Sequence, residues 1–277
     1  MSAQLVDAEA LPWLTGHEVF ASMAPAFRDN LDPHGDPHRV EELLGRYHVR
    51  VLWLDPDSGR RIDQVRVDPG YVDLCEAFHD SVEEAYFVTG TARLSAEGDF
   101  GPGDYFWRPP GWVHAARSET GYDAIVTLEG TCPSEGSGPV TRVPCDDRDA
   151  GRHVASAHDP VGPRGYVRRL SSRAHGWSTP EPTVAAAMGD DISVRLLSVN
   201  AVTGAATALL RLPEGWSAPV APTARETFVV VVGGTLLVDG REVSAGSLVR
   251  TGVGDRPLRM SCAGPVEVLL KVGQAAR

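Results

Sequence analysis

Cysteine is scarce in this 277-residue chain. Only Cys75, Cys132, Cys145 and Cys262 are present, and none forms a C-x-x-C pair. That spacing excludes a zinc knuckle or a thioredoxin-like redox pair, so the thiols read as packing residues of a reduced, cytoplasmic protein. Long apolar runs are missing too: no window approaches the ~18 residues that cross a bilayer. The opening MSAQLVDAEA carries two acids and no apolar core of the signal-peptide kind. Positive charge is in deficit, with 26 Lys and Arg against 37 Asp and Glu, a net charge of -11. Such a balance repels phosphate backbones and anionic lipid. The short basic stretch of Arg164, Arg168, Arg169 and Arg173 lacks interleaved aromatics and reads as a solvated linker. We therefore expect neither a nucleic-acid nor a membrane partner. No G-x4-G-K-[ST], G-x-G-x-x-G after a strand, G-x-S-x-G or H-E-x-x-H occurs, so nucleotide hydrolysis, dinucleotide redox and the common hydrolase mechanisms lack support.

Glycine and proline, by contrast, are plentiful. There are 29 Gly and 21 Pro in a chain of ordinary apolar and charged content, which suits a turn-rich all-β fold better than a helical bundle. An internal repeat organises them. HVRVLWLDPDSGRRIDQVRVDPGY at 48–71 resembles ISVRLLSVNAVTGAATALLRLPEGW at 192–216, and Glu83, Gly90, Gly103 and Gly111 lie 143 positions before Glu226, Gly233, Gly246 and Gly254. Both copies read as short strands between turns, a sandwich or small barrel occurring twice. We place the boundary near 150, giving domains 1–150 and 151–277. Residues 14–47 have no partner in the repeat. VEELLGRY predicts one or two helical turns, and the segment reads as a surface ornament rather than a cover for the barrel mouth.

The chemistry gathers in the first copy. In AFHDSVEEAYFVTG, His79 ends one strand and Glu83 opens the next, with DSV as the turn of a hairpin that brings them together. GDYFWRPPGWVHAARS adds His114 behind a rigid Pro109-Pro110-Gly111 turn. Two histidines and a carboxylate form a facial triad with open positions for water, dioxygen or substrate, a catalytic rather than a structural arrangement. His79, Glu83 and His114 are thus the candidate metal-binding and catalytic residues. Iron(II) is the first expectation, with Mn, Ni or Zn as alternatives. Of the nearby aromatics, Tyr105 and Trp107 are the candidates for contact with a bound molecule. Glu84 and Arg108 read as ligand-orienting groups or as a rim salt bridge, and the remaining histidines as loop or surface residues.

These residues carry a resemblance. Gly103-x5-Pro109-x-Gly111-x2-His114 matches the second signature motif of the cupin superfamily. The first, H-x-H-x3-E-x6-G, is met by His79, Glu83 and Gly90, with Ala77 in place of the leading histidine. The paired acids Glu83 and Glu84 look most like zinc-binding cupins of anti-sigma factors and their dioxygenase relatives, and the whole chain is similar to bacterial double cupins. The resemblance implies an all-β fold of two tandem cupin (jelly-roll β-barrel) domains. In the second domain Val220, Pro222 and Pro257 replace the histidines and only Glu226 remains, so no metal is expected there. The resemblance also implies a homodimer. The function expected is a metal-dependent oxidoreductase of dioxygenase type acting on an oxygen-rich small molecule. The alternatives are a non-catalytic sensor of metal or small molecules and a cupin isomerase or decarboxylase.

Overall fold

A computed structural model describes residues 3–22, 31–32, 34–79, 81–95, 97–129, 140–142, 167–199, 205–220 and 225–275. They fall into two compact units, Pro12–Ser171 and Met1–Leu11 with Ser172–Arg277. Each unit faces a large antiparallel sheet with a smaller four-stranded one. In the first unit the large sheet runs Val167–Ser171, Asp104–Arg108, Glu83–Gly90, Tyr122–Leu128, Arg61–Val67, Tyr47–Leu54, Leu14–Thr15. In the second it runs Gln4–Val6, Leu248–Thr251, Arg225–Gly233, Val266–Ala275, Ala206–Leu212, Ser193–Val199. The smaller sheets match in the same way. Tyr71–Val72, Ala116–Ser118, Ala92–Leu94 and Gly98–Phe100 correspond to Ser217–Val220, Leu258–Ser261, Leu236–Val238 and Arg241–Val243. The repeat read from glycine spacing is therefore a repeat of topology, and the all-β jelly-roll expectation holds.

A single cut near 150 does not describe the units. Residues about that position lie outside the described set, but the edge strands are informative. Gln4–Val6 pairs with Leu248–Thr251, and Val167–Ser171 pairs with Asp104–Arg108, so each unit's large sheet gains one strand from the other side of such a cut. Both additions cover the same edge of the repeated sheet, whose free N–H and C=O groups would otherwise stay unpaired.

The second unit is filled. Val184, Met188, Leu210, Val220, Leu236 and Met260 belong to one apolar cluster, each at most 3% exposed. Val220 packs there, Pro257 is exposed, and Pro222 lies outside the described residues. Glu226 accepts a hydrogen bond from Arg250 Nε at 2.6 Å, a pairing that gives the surviving acid a structural partner.

In the first unit, the described residues between 14 and 47 are not a surface ornament. Thr15 and Glu18 form a reciprocal capping box that starts the helix Gly16–Ala21, while Asp36 caps Pro37–Gly45 with proline in its first turn. The two helices meet at Gly16, where a Cβ would stand 2.4 Å from the Leu44 carbonyl oxygen. Val19, Phe20, Leu31 and Leu43 turn inward and line the barrel cavity. Val40, Leu43 and Leu44 fall close to one face of the helix Pro37–Gly45, a periodicity that signals this burial.

One turn fixes the sheet beside the site. Gly90 has φ +70°, and a Cβ there would lie 2.0 Å from the Gly121 carbonyl oxygen and 2.7 Å from Tyr122 Cα. Both obstacles are backbone, so no side chain can move aside. Gly90→Ala is expected to destabilise this unit by about 2–3 kcal/mol, read as a lowered urea midpoint at unchanged slope. A midpoint equal to the parent's would show that the backbone there relaxes freely.

Candidate metal centre

His79, Glu83 and His114 come together. One donor atom from each lies within 4.8 Å of the others. The imidazole rings of His79 and His114 stack at 5.4 Å, and Glu83 stands across from both, its Oε1 3.6 Å from His79 Nε2 and its Oε2 3.5 Å from His114 Nε2. The His79–Glu83 hairpin expected from the sequence is not what joins them. Ala77–His79 pairs with Val140–Arg142 and, through Ala77, with His114, whereas Glu83–Gly90 pairs with Asp104–Arg108 and Tyr122–Leu128. The chain crosses from one sheet to the other between these residues, and the site sits at that corner. Backbone bonds hold the corner shut: Ala77 N–H donates to His114 O at 2.9 Å, His114 N–H to Ala77 O at 2.8 Å, and Gly111 N–H to His79 O at 2.8 Å.

Arg108 is the residue sequence reasoning undervalued. It is 1% exposed rather than at the rim. Its Nη1 donates to Glu83 Oε2 at 2.8 Å, while Nε and Nη2 form a bidentate pair with Glu97, both at 2.7 Å. Burial alone would raise the Glu83 carboxyl; the Arg108 guanidinium, together with His114 and His79, outweighs it and holds the group at about 2. Burial, then the same guanidinium, pushes the His114 imidazole down to about 3. Both donors are therefore unprotonated at neutral pH, the form a cation requires. His114 Nδ1–H donates to the Trp112 carbonyl at 2.9 Å, which aims the Nε2 lone pair at Glu83.

The charge balance points the same way. Two buried carboxylates, Glu83 and Glu97, share the Arg108 guanidinium, and a cation beside Glu83 would add to the positive charge facing them. The donor set, its protonation and its charge all fit a divalent metal ion. Ala77, in place of a fourth ligand, contributes only a methyl group to the cavity wall.

Tyr105 and Trp107 are placed differently from the expectation. On Asp104–Arg108 it is Phe106 and Arg108 that line the cavity; Tyr105 and Trp107 project from the other face of the sheet. The Tyr105 hydroxyl donates to Glu84 Oε2 at 2.6 Å, so that pair is a buried structural contact and not part of the site. Alternation gave the parity but not its sign, because Tyr105 at 1% and Phe106 at 3% exposure are both buried.

The cavity above the triad measures about 210 Å³. Much of its wall is apolar, including Val19, Phe20, Leu43, Val49, Val126 and Leu128. The polar residues around it are Arg61, Asp63, Asp73 and three tyrosines, Tyr47, Tyr71 and Tyr122. None of these was singled out from the sequence, since no motif marks them. Cys75 also lines it.

No family model matches the chain, and no curated protein matches its sequence. Solved structures do. A provisionally assigned dioxygenase of Nostoc punctiforme aligns over 99% of this chain and 83% of its own at 13% identity, with a TM-score of 0.72. A bacterial pirin of Escherichia coli, solved in complex with nickel(II), aligns over 99% of this chain and 100% of its own at 12% identity and a TM-score of 0.60. Oxalate decarboxylase of Bacillus subtilis covers 83% of this chain and 72% of its own at 15% identity and a TM-score of 0.54. At such identities the likeness concerns the fold alone. Together with the repeated two-sheet topology and the motif residues at the corner, it identifies this chain as having the bicupin fold, two cupin barrels in one polypeptide.

Proposed function

We propose that His79, Glu83 and His114 hold a divalent metal ion, iron(II) first among the candidates, and that the protein is an oxidoreductase of dioxygenase type acting on a small molecule in the first barrel. The convergence of three donors, with Glu83 and His114 unprotonated at neutral pH, at one side of a largely apolar cavity carries this reading. A three-ligand metal leaves coordination positions open and supplies Lewis-acid activation and a binding place for oxygen.

The chain's own residues do the rest. Arg108, clamped by Glu97, fixes the Glu83 carboxylate by its Oε2 and leaves Oε1 towards His79. The Trp112 carbonyl fixes the tautomer of His114. Phe20, Leu43, Val126 and Leu128 keep water from the bound molecule, which strengthens polar contacts at the triad. The cavity is smaller than the range for drug-sized ligands, which favours a small substrate. The Nostoc neighbour's provisional assignment as a dioxygenase adds support for the reaction class, and the pirin's nickel(II) for a divalent ion on this fold.

Protein purified without chelator is expected to carry close to one equivalent of iron per chain, or to take it up on anaerobic reconstitution. At a hundredfold excess over its dissociation constant the metal should stabilise the fold by about 2.7 kcal/mol, read as a rise in melting temperature. Substoichiometric iron, manganese, nickel and zinc, unchanged by reconstitution, would reject the reading. Pairing of two copies through an outer sheet belongs to the same proposal. A single sedimenting species of monomer mass at micromolar concentration would remove it.

A further inference from the structure

The cavity has a second polar group that the triad does not use. Arg61 and Asp63 both line it, on the strand two places away from Glu83–Gly90 in the large sheet. Leu128 is registered against Glu83 on one side and Arg61 on the other, so Arg61 and Glu83 share one row of the sheet, two strand spacings or about 9.5 Å apart. Val126 in the same manner links Asp63 to Ala85, with Phe106 next in that row. Between the two charged groups the wall is thus Leu128, Val126 and Ala85.

Asp63 is 5% exposed. Its Oδ2 lies 2.5 Å from Arg61 Nε, but its Oδ1 is buried with no hydrogen-bond partner among the described residues. Burial pushes this carboxyl up to about 6 even against the attraction of Arg61, a sign of how poorly it is solvated. Asp73, the other cavity acid outside the triad, differs. Asp73 accepts from the Tyr71 hydroxyl at 2.5 Å on one oxygen and from the Ala116 N–H at 2.6 Å on the other, so both its oxygens are engaged. A buried acceptor left without a donor is uncommon and costly, and one that borders a cavity is satisfied when a ligand supplies the donor.

We propose that the Arg61–Asp63 pair is a second recognition pole, and that the molecule taken by this cavity is small and mostly apolar with a neutral hydroxyl group that donates to Asp63 Oδ1. An ammonium group fits less well, because the Arg61 guanidinium beside the carboxylate would repel it. The far end of the ligand, facing the triad, rests on the metal reading above; the hydroxyl end does not.

The test uses simple probes and the full chain. Binding of 4-methylphenol, 4-methylanisole and toluene is measured by titration calorimetry on chelator-treated and on zinc-loaded protein, with metal content determined in the same samples. The phenol is expected to bind about tenfold more tightly than the anisole, which has no proton to donate, and than toluene, in both preparations. Asp63→Ala should erase the preference, and Asp63→Asn, which keeps an uncharged acceptor, should leave a smaller one. Equal affinities of the parent protein for phenol and anisole would overturn the proposal without recourse to any variant. So would undetectable phenol binding at millimolar concentration, or a full preference surviving in Asp63→Ala. Failure of the metal reading would register separately, as absent zinc in the loaded sample with the phenol preference intact.

Discussion

Arg108→Met is expected to destabilise the first barrel by about 3–5 kcal/mol, because it strands the buried carboxylates Glu83 and Glu97 without their shared cation. Methionine is of similar length and packs acceptably against Phe106, over whose ring the guanidinium now lies at 3.9 Å, so lost volume contributes little. The loss is measured by urea titration at neutral pH. Adding Glu97→Gln to the variant should restore part of the stability, since one of the two stranded charges is then gone. Acid adds a signature of its own. In the parent, the Glu83 carboxyl is depressed to about 2 from 4.5, so its share of stability, roughly 3 kcal/mol, is present above about pH 4.5 and is lost as pH falls towards 2. Without Arg108, burial dominates, the carboxyl rises above its ordinary value, and the variant should gain from mild acid where the parent's Glu83 does not. Equal midpoints for parent and Arg108→Met at neutral pH would reject the buried ion-pair account.

His114→Ala should lower metal affinity by more than about a hundredfold. Loss of an outer-shell partner alone costs up to that factor, and here one of only three donors disappears. Ala77→His should act in the opposite direction. Ala77 and His114 are directly opposed and exchange both backbone hydrogen bonds, so their side chains leave the same face with Cβ atoms about 5.5 Å apart. Residue 77 already lines the cavity, so an added imidazole enters at the triad. Tighter binding should come with unchanged or reduced turnover, because the fourth donor fills a position open to substrate or oxygen. Dissociation constants for the parent and both variants, determined in one buffer, check the pair of expectations. Equal affinity in parent and His114→Ala would take His114 out of the ligand set.

The strands, the repeat and the three metal-binding candidates follow from local signals. Val-rich runs of period two, turn glycines at matched spacings, and a Pro-Pro-Gly bend before His114 each act over a few residues. Such signals name strands and turns without pairing them. Sequence therefore grouped His79 with Glu83, which the structure brings together, and misjudged their connection, reading a hairpin where the chain crosses between sheets. The same limit applied to the 14–47 segment. Its helical face was visible, but not that this face lies over the cavity of the first barrel.

What the sequence by itself determined is the all-β class, the duplication and which three residues are grouped as metal-binding candidates. These rest on composition and spacing along the chain, which folding does not alter. Tertiary structure alone decided which face of Asp104–Arg108 looks inward, which acid meets Arg108, which strand closes each sheet edge, and that Asp63 borders the cavity. The reason is physical. In a strand buried on both sides, alternation of polar and apolar residues carries no sign, and Tyr105 and Phe106 are equally hidden. Pairings such as Arg108 with Glu97, or Gln4–Val6 with Leu248–Thr251, arise when sheets close on one another, and a barrel makes those contacts between residues that the linear chain leaves unrelated.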